Sequence, residues 1–463
     1  MNNHWLDIDL TQFSFLQPLS ELGVSSLKAW LPVNVRANKL KRTSGDGTWL
    51  FCSSGLEQDV AVIWSDFRVN GGSFGGDVAN RITSFLKQCE QRHLPLIVVM
   101  NTLGYRFMEG RAVFNEVFSL IPTLDSYSRQ QLVVTVCHGQ CLGLGAILFG
   151  LGHYRIGVQE NSTLNLTGPD VFRLFFGKKV DFESFASVDQ QYVKTSLIHE
   201  RVHDLPKAIA SAYALISGGT DAKTHSHQPE TAFLSRQQRK VERACQAMLD
   251  LFADTYQPLF VDFDNRMRVY LVEIDGLKFG LLMNPPENSN NMITVRTLKL
   301  YQDALRLFQA LNIPLVSFLD TPGVDPRMDN SNQDIIQQLI ETNRAIIEYP
   351  LPKMGVWIGR GFGGANTLVI PKSYGSWANY VLKDRTTLGV MHESIIEHLL
   401  NKSQRMMALW RESREKELAD FQDIVDAGYV TAAIGPEELK QVIVAFLRGE
   451  KATFEAEPVE LYA

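Results

Sequence analysis

Leu94-Pro95-Leu96-Ile97-Val98-Val99-Met100-Asn101-Thr102-Leu103-Gly104 and Ile313-Pro314-Leu315-Val316-Ser317-Phe318-Leu319-Asp320-Thr321-Pro322-Gly323 are one stretch written twice, without a gap. In each copy a proline precedes an apolar run that ends in Asn or Asp, then Thr, one free position and Gly. A continuous apolar run closed by turn residues reads as a strand buried on both faces. A glycine turn follows each copy at nearly the same interval: His138-Gly139-Gln140-Cys141-Leu142-Gly143-Leu144-Gly145 after the first, Arg360-Gly361-Phe362-Gly363-Gly364-Ala365 after the second. Each lies between an apolar strand and the start of a buried helix. The chain therefore reads as one unit used twice, with the glycine turn as its recurring working part. Adjacent glycines let backbone N–H groups face a ligand oxygen with no Cβ in the way. A helix N-terminus adds unpaired donors and partial positive charge. Together these can hold an oxyanion without any side-chain chemistry.

Size agrees with the duplication. At 463 residues the chain is too long for one core and suits two domains of about 200 residues each. Hydrophobic residues make up 45%, enough for both cores. With a net charge of −6 and no long basic run, nucleic acid and anionic membrane surfaces are not expected partners. No apolar stretch approaches the length of a membrane span. Met1-Asn2-Asn3-His4 lacks a basic segment leading into an apolar core, so a cytoplasmic location is expected. The cysteines, 52, 89, 137, 141 and 245, are scattered and odd in number, which fits buried thiols in a reducing compartment and not a four-cysteine zinc ribbon.

Strands alternate with helical patterns throughout, the signature of parallel α/β layers. An arm over residues 1–45, with a short basic patch over 36–42, reads as a surface or dimer-docking segment. The first domain is expected over residues 46–217, a polar linker over 218–231, and the second domain over 232–463. In the first domain two strands bracket Ser53, Ser54 and Gly55. The glycine-rich loop from Asp66 to Gly76 leads into a helix over 77–91, whose N-terminus could receive a phosphate or a thioester carbonyl. A helix is expected to begin near Glu109, and another at Pro169 after Thr167-Gly168. The second domain repeats the plan, with helices over 293–311 and 333–349. A long amphipathic helix over 404–427 and a short one over 436–448 close the chain.

His199-Glu200-Arg201-Val202-His203 satisfies a zinc-binding pattern in which two imidazoles one helical turn apart share a metal and the glutamate serves as base. No third ligand follows at a fitting spacing, and the segment reads as a solvated helix face. There is no Gly-x-Ser-x-Gly elbow, phosphate-loop lysine or dinucleotide fingerprint in the right setting. If the chain is an enzyme, it works through backbone donors.

The ordered set of short motifs resembles one known family, the carboxyltransferase components of biotin-dependent acyl-CoA carboxylases with their decarboxylase relatives. In the first half the matching residues are Asp66-Phe67 with Val69 and Gly71-Gly72-Ser73, then Gly104 with Arg106 and Glu109-Gly110. Gly139 with Cys141 and Gly143 follows, and then Thr167-Gly168-Pro169-Asp170-Val171. In the second half they are Asp320 with Pro322-Gly323, Pro352-Lys353 and Phe362-Gly363-Gly364-Ala365. The resemblance implies an α/β fold of two duplicated crotonase-like ββα superhelix domains. It implies that Gly143 and Leu144 offer amides to the oxygen of an acyl-CoA or acyl-carrier thioester, stabilising the enolate. Gly364 and Ala365, beside Gly363, would hold the ureido oxygen of carboxybiotin, and the freed biotin would serve as base. Gly71, Gly72, Gly104, Arg106, Gly168 and Pro169 are the implied substrate-binding positions, with no metal. No Met-Lys-Met biotinylation segment occurs, so biotin is expected in trans, with biotin carboxyl carrier and biotin carboxylase subunits as partners. The family sets its two turns across a subunit interface, which implies a homo-oligomer, a dimer or a hexamer.

Departures from the family pattern fall on the acyl side. Its Gly-Gly-Ala-Arg is here Leu103-Gly104-Tyr105-Arg106, and its adjacent glycine pair is Gly143-Leu144. Leu144 cannot adopt positive φ cheaply, and its side chain is expected to crowd the acyl pocket. Near the end, a family Met-Gly is Met391-His392. Two other readings stand beside the carboxyltransferase: a biotin-independent decarboxylase of a malonyl-type thioester, and a non-catalytic scaffold subunit.

Overall fold

Leu96–Thr102 is buried at every position but Asn101, and its counterpart Leu315–Thr321 is buried throughout, as strands inside parallel sheets must be. The computed structural model describes residues 5–8, 24, 26–30, 47–54, 58–178, 180–217, 236–261, 263–286, 288–327, 334–389, 397–398, 405–408, 411, 421–450 and 452. The chain divides into two units, Met1–Gly219 and Thr220–Ala463, each with its own sheet.

The strands of the first unit are β1 (Trp5–Ile8), β2 (Ser26–Trp30), β3 (Thr48–Ser54), β4 (Val60–Ser65), β5 (Leu96–Thr102), β6 (Val133–Leu142), β7 (Tyr154–Val158), β8 (Thr163–Asn165) and β9 (Glu200–Val202). Its helices include α1 (Gly76–Gln91), α2 (Leu144–Gly150), α3 (Pro169–Phe176) and α4 (Leu205–Ser217). β1 to β4 pair antiparallel in sequence order, and β4, β5, β6, β7 and β9 continue in parallel. α1 turns Val78, Ala79, Ile82, Phe85, Leu86 and Cys89 to the core, the stripe expected of a helix lying on a sheet.

The second unit repeats this with β10 (Thr255–Leu259), β11 (Arg268–Ile274), β12 (Leu277–Met283), β13 (Leu315–Thr321), β14 (Lys353–Phe362), β15 (Asn379–Leu382), β16 (Thr387–Gly389) and β17 (Ala432–Ile434). Its helices include α5 (Arg236–Leu249), α6 (Val295–Ala310), α7 (Ile335–Glu348) and α8 (Leu439–Arg448). Thr294 and Thr297 form a reciprocal capping box that starts α6. The antiparallel β10–β11–β12 leads into parallel β12–β13–β14–β15–β17.

The two long strands place the working turns. β6 pairs with β7 along its first half and with β8 along its second; β14 does the same with β15 and then β16. Where each strand changes partner, its register against the preceding strand also slips, between Met100 and Thr102 in the first unit and between Leu319 and Thr321 in the second. A bulge of this kind re-aims the strand beside a site.

Several expectations are corrected. The helix expected near Glu109 is a 3₁₀ segment, Phe107–Val113, because Gly110 at φ +59° breaks the helical path before Phe114–Phe118. After Gly363 the chain forms a 3₁₀ turn, Gly363–Val369, and not an α-helix; Ile370 at φ +69° ends it and Pro371 follows. Glu200 lies on β9 and not on a helix, since pairing with β7 claims that backbone. The basic patch over 36–42, the linker over 218–231, Met391-His392 and half of the tail helix over 404–427 lie outside the described residues.

Candidate active site

Both glycine turns are built by one local device, which begins at the strand bulge. In the first unit Asn101 Oδ1 accepts the Gln140 N–H at 3.0 Å; in the second Asp320 Oδ1 accepts the Arg360 N–H at 2.8 Å. The preceding residue must be glycine, because a Cβ on Gly139 would lie 2.5 Å from Asn101 Nδ2 and one on Gly359 would lie 2.6 Å from Asp320 Cγ. The next residue on the short strand closes the loop: Thr102 Oγ1 accepts the Gly104 N–H at 2.9 Å, and Thr321 Oγ1 the Gly323 N–H at 3.2 Å. The Gly104 carbonyl then takes the Phe74 N–H at 2.7 Å, as the Gly323 carbonyl takes the Ile293 N–H at 2.9 Å.

Beyond the bulge each long strand ends in a left-handed glycine, Gly143 at φ +56° and Gly363 at φ +60°. A side chain there would be strained, and that sharp turn starts α2 or the 3₁₀ turn. The Gly143 N–H is held by the Asn165 carbonyl at 3.1 Å, so the first turn's outward donor is the amide of Leu144. Among the described residues the Leu144 amide has no backbone acceptor, and the same holds for Gly364 in the second turn. Gly364 is exposed, and a Cβ built on it meets nothing within 4 Å, while Ala365 beside it is buried.

Leu144 corrects an expectation. It keeps helical φ because Gly143 carries the left-handed turn, and its side chain packs into the core. The first turn is instead flanked by the loop after β5. A Cβ on Gly104 would lie 3.0 Å from Leu144 N, and the Leu166 and Leu103 carbonyls stand 3.7 and 3.8 Å from the Cβ position of Gly143. Leu103 and Leu166 are exposed there. Gly168 caps α3 with Pro169 in its first turn, and the Gly168 Cβ position is 3.4 Å from Leu142 Cδ1, at the end of the same strand.

Gly71, Gly72 and Arg106 stand behind this turn. Leu103 N–H donates to the Gly71 carbonyl at 2.9 Å, and the Leu103 side chain covers Gly71. Buried Arg106 is held by the Ser73 carbonyl at 2.8 Å, Ser73 Oγ at 3.2 Å and Glu109 Oε1 at 3.1 Å. Glu109 Oε2 in turn accepts the Gly76 N–H at 2.8 Å, so the α1 N-terminus expected to receive a phosphate already holds a carboxylate. Gly143, Leu144, Gly104, Gly168 and Pro169 are thus brought together at the strand ends of the first unit, with Gly71, Gly72 and Arg106 supporting the loop. Gly363, Gly364 and Ala365 form their own turn in the second.

The second turn has an ionic neighbour. Arg360 Nε and Nη2 reach Asp320 Oδ1 and Oδ2 at 2.7 and 3.2 Å, and Nη2 also reaches the Asn288 carbonyl at 2.9 Å. Lys353, at the start of the same strand, donates to the Ile346, Ile347 and Tyr349 carbonyls at the end of α7, and burial pushes its ammonium down from the usual range. In the first turn's strand burial likewise lowers His138, with Glu160 opposing. Motif reading picks out Asp320 but passes over Asn101, Thr102 and Thr321, although the gapless repeat aligns all four.

The zinc pattern dissolves. His199 is buried and bound to the Arg155 guanidinium, and Glu200 accepts from Ser211 Oγ at 2.7 Å. Residues four apart along an extended strand are about 13 Å apart, too far to share a metal. Among the described residues no group of three or more His, Cys, Asp or Glu could hold a metal ion, and no helix is long and apolar enough to cross a membrane. All five cysteines are free and buried.

Against known proteins, a family model described as carboxyl transferase domain matches residues 55–258 and 274–460. The chain is similar to the carboxyltransferase subunit of propionyl-CoA carboxylase from Haloferax mediterranei, 23% identical over 426 residues that cover 86% of this chain and 81% of that one. It is 22% identical over 398 residues to the mitochondrial propionyl-CoA carboxylase beta chain of Homo sapiens, covering 82% and 73%. Among solved structures it matches transcarboxylase 12S, a hexamer assembly with methylmalonyl-coenzyme A and methylmalonic acid bound, at a TM-score of 0.73 and 18% identity, covering 89% of this chain and 84% of that one. The fold is therefore the duplicated crotonase-like one of that two-domain protein.

Proposed function

The chain belongs to the carboxyl transferase family, and from that membership we propose that it moves a carboxyl group between carboxybiotin, brought on a separate carrier, and the α-carbon of an acyl-CoA. The observation that carries the reading is the pair of equivalent turns, each ending in an outward amide that the fold leaves unpaired, Leu144 in one unit and Gly364 in the other. One acyl thioester and one ureido group need two such donors.

Leu144 N–H donates to the thioester oxygen and strengthens its bond as the α-carbon loses its proton and charge moves onto that oxygen. A fixed backbone donor of this kind supplies about 2.7–4 kcal/mol to the transition state. Gly104 and Gly168-Pro169 shape the acyl side, while Gly71, Gly72 and Arg106 hold its loop. Gly364, with Gly363 and Ala365, would hold the ureido oxygen; the space over its Cα fits such a group. Biotin, when bound, supplies the carboxyl group and the base. The names of the relatives support a short acyl-CoA as substrate. The proposal takes biotin carboxylase and biotin carboxyl carrier chains as partners and a cytoplasmic setting. The hexamer of transcarboxylase 12S supports a homo-oligomer. So does α3, whose Leu174 and Phe175 are 79% and 82% exposed in the single chain, more apolar surface than one helix usually leaves to water.

The test is release of acetyl-CoA from malonyl-CoA, and of propionyl-CoA from methylmalonyl-CoA, by the purified protein with and without free biotin. Release that requires biotin is expected. Release that ignores biotin would replace the reading with a decarboxylase, and no release in any arm with a scaffold.

A further inference from the structure

We infer that Asn101 and Asp320 are positioning residues, each setting the oxyanion turn of its own unit through the strand bulge, the first by a neutral contact and the second by an ion pair. The inference rests on the reading of the two turns given above, and its test separates the two.

The two side chains occupy the same place in the duplicated unit and do the same thing to the main chain. Each sits where β5 or β13 slips in register against its neighbour. Each accepts the N–H of the bulged residue, Gln140 at 3.0 Å or Arg360 at 2.8 Å. Each fills the space that the glycine before that residue leaves, and the left-handed glycine of the turn follows three residues on. A backbone donor works only where its N–H is aimed, and a displacement of about 1 Å at a reacting centre costs on the order of 10²-fold in rate. A contact that fixes the strand just before the donor therefore acts on the rate without touching substrate.

The units differ in charge. Asn101 faces Gln140, both neutral. Asp320 Oδ1 takes both the main-chain N–H and Nε of Arg360, and the carboxylate is buried. The carboxylate therefore does two jobs, holding the bulge and neutralising the guanidinium of Arg360, four residues before Gly364 on the same chain. Removing the charge alone leaves that cation without its counter-charge at the strand bulge, with the neutral Asn288 carbonyl still as acceptor. Replacing both residues by the first unit's pair, Asp320→Asn with Arg360→Gln, restores a neutral arrangement the fold already uses.

Hydrogen exchange of the folded protein, read by mass spectrometry on peptides spanning 353–370 and 133–150, reports the aim of each turn without any assay of activity. Asp320→Ala is expected to speed exchange in the first peptide by on the order of tenfold, the scale of one lost hydrogen bond to a charged group, and to leave the second unchanged. Asn101→Ala is expected to do the reverse. In the biotin-dependent release assay Asp320→Asn should raise KM for biotin while KM for malonyl-CoA stays at its starting value, and the Asp320→Asn/Arg360→Gln double variant should recover most of the loss. Unchanged exchange in a variant's own peptide, or an equal rise in both, would overturn the inference. So would a double variant as impaired as Asp320→Asn. Should the starting protein release no acetyl-CoA under any condition while the exchange pattern holds, the carboxyltransferase reading falls and the positioning role stands.

Discussion

Gly364→Ala tests the second turn with little disturbance of the fold. An added Cβ there meets no atom within 4 Å, and Gly364 does not lie in the left-handed region. Alanine at a compatible site removes freedom from the unfolded chain, so the variant should be as stable as the starting protein or more so, by about 0.4–1 kcal/mol. The new methyl group stands on the Cα that carries the outward amide, in the open space where an oxygen must approach. Blocking one oxyanion donor is worth about 2.7–4 kcal/mol, which is about 10²–10³ in kcat. The assay is biotin-dependent acetyl-CoA release from malonyl-CoA, paired with a urea unfolding curve. Full activity in a protein of unchanged stability would refute the assignment of this amide, whatever the fate of the family membership. Lost activity with lost stability would refute the claim that the space over Gly364 is open.

Other predictions follow from the same geometry. Gly143→Ala has room for its Cβ, 3.7 Å from the nearest atom, but must hold φ +56°, so it should cost about 1–3 kcal/mol in urea unfolding. Leu144→Ala keeps its amide and empties part of the core, so it should lose about 2–5 kcal/mol of stability while the preference between malonyl-CoA and methylmalonyl-CoA stays the same; a changed preference would return the Leu144 side chain to the acyl pocket. Asp325 gives a pH signature. The Arg327 guanidinium beside it holds its carboxyl below the usual range, so its contribution is fully present above the unfolded carboxylate value of about 3.9 and fades as pH falls through the lower folded value. Asp325→Asn should therefore be less stable at pH 7, with the gap closing in acid; a gap that does not change with pH would exclude the ion pair as its source.

Much of this was legible in the chain itself. The gapless repeat around Asn101 and Asp320 fixed the duplication, because buried parallel strands need continuous apolar runs and such runs are visible without a structure. Leu277–Met283, the helix ending at Gln91 and the start of α3 at Pro169 likewise follow from local pattern and turn chemistry. The glycine turns were legible as turns because only glycine permits the backbone they require at Gly143 and Gly363. What sequence could not assign was direction. The side chain of Leu144 points into the core because Gly143 takes the left-handed turn, Glu109 closes the α1 N-terminus from 33 residues away, and Glu200 lies on a strand because β7 is there to pair with. The roles of Asn101 and Asp320 belong to the same class, since a side chain that accepts an N–H about 40 residues further on is set by the register between two strands, and register is a property of the sheet.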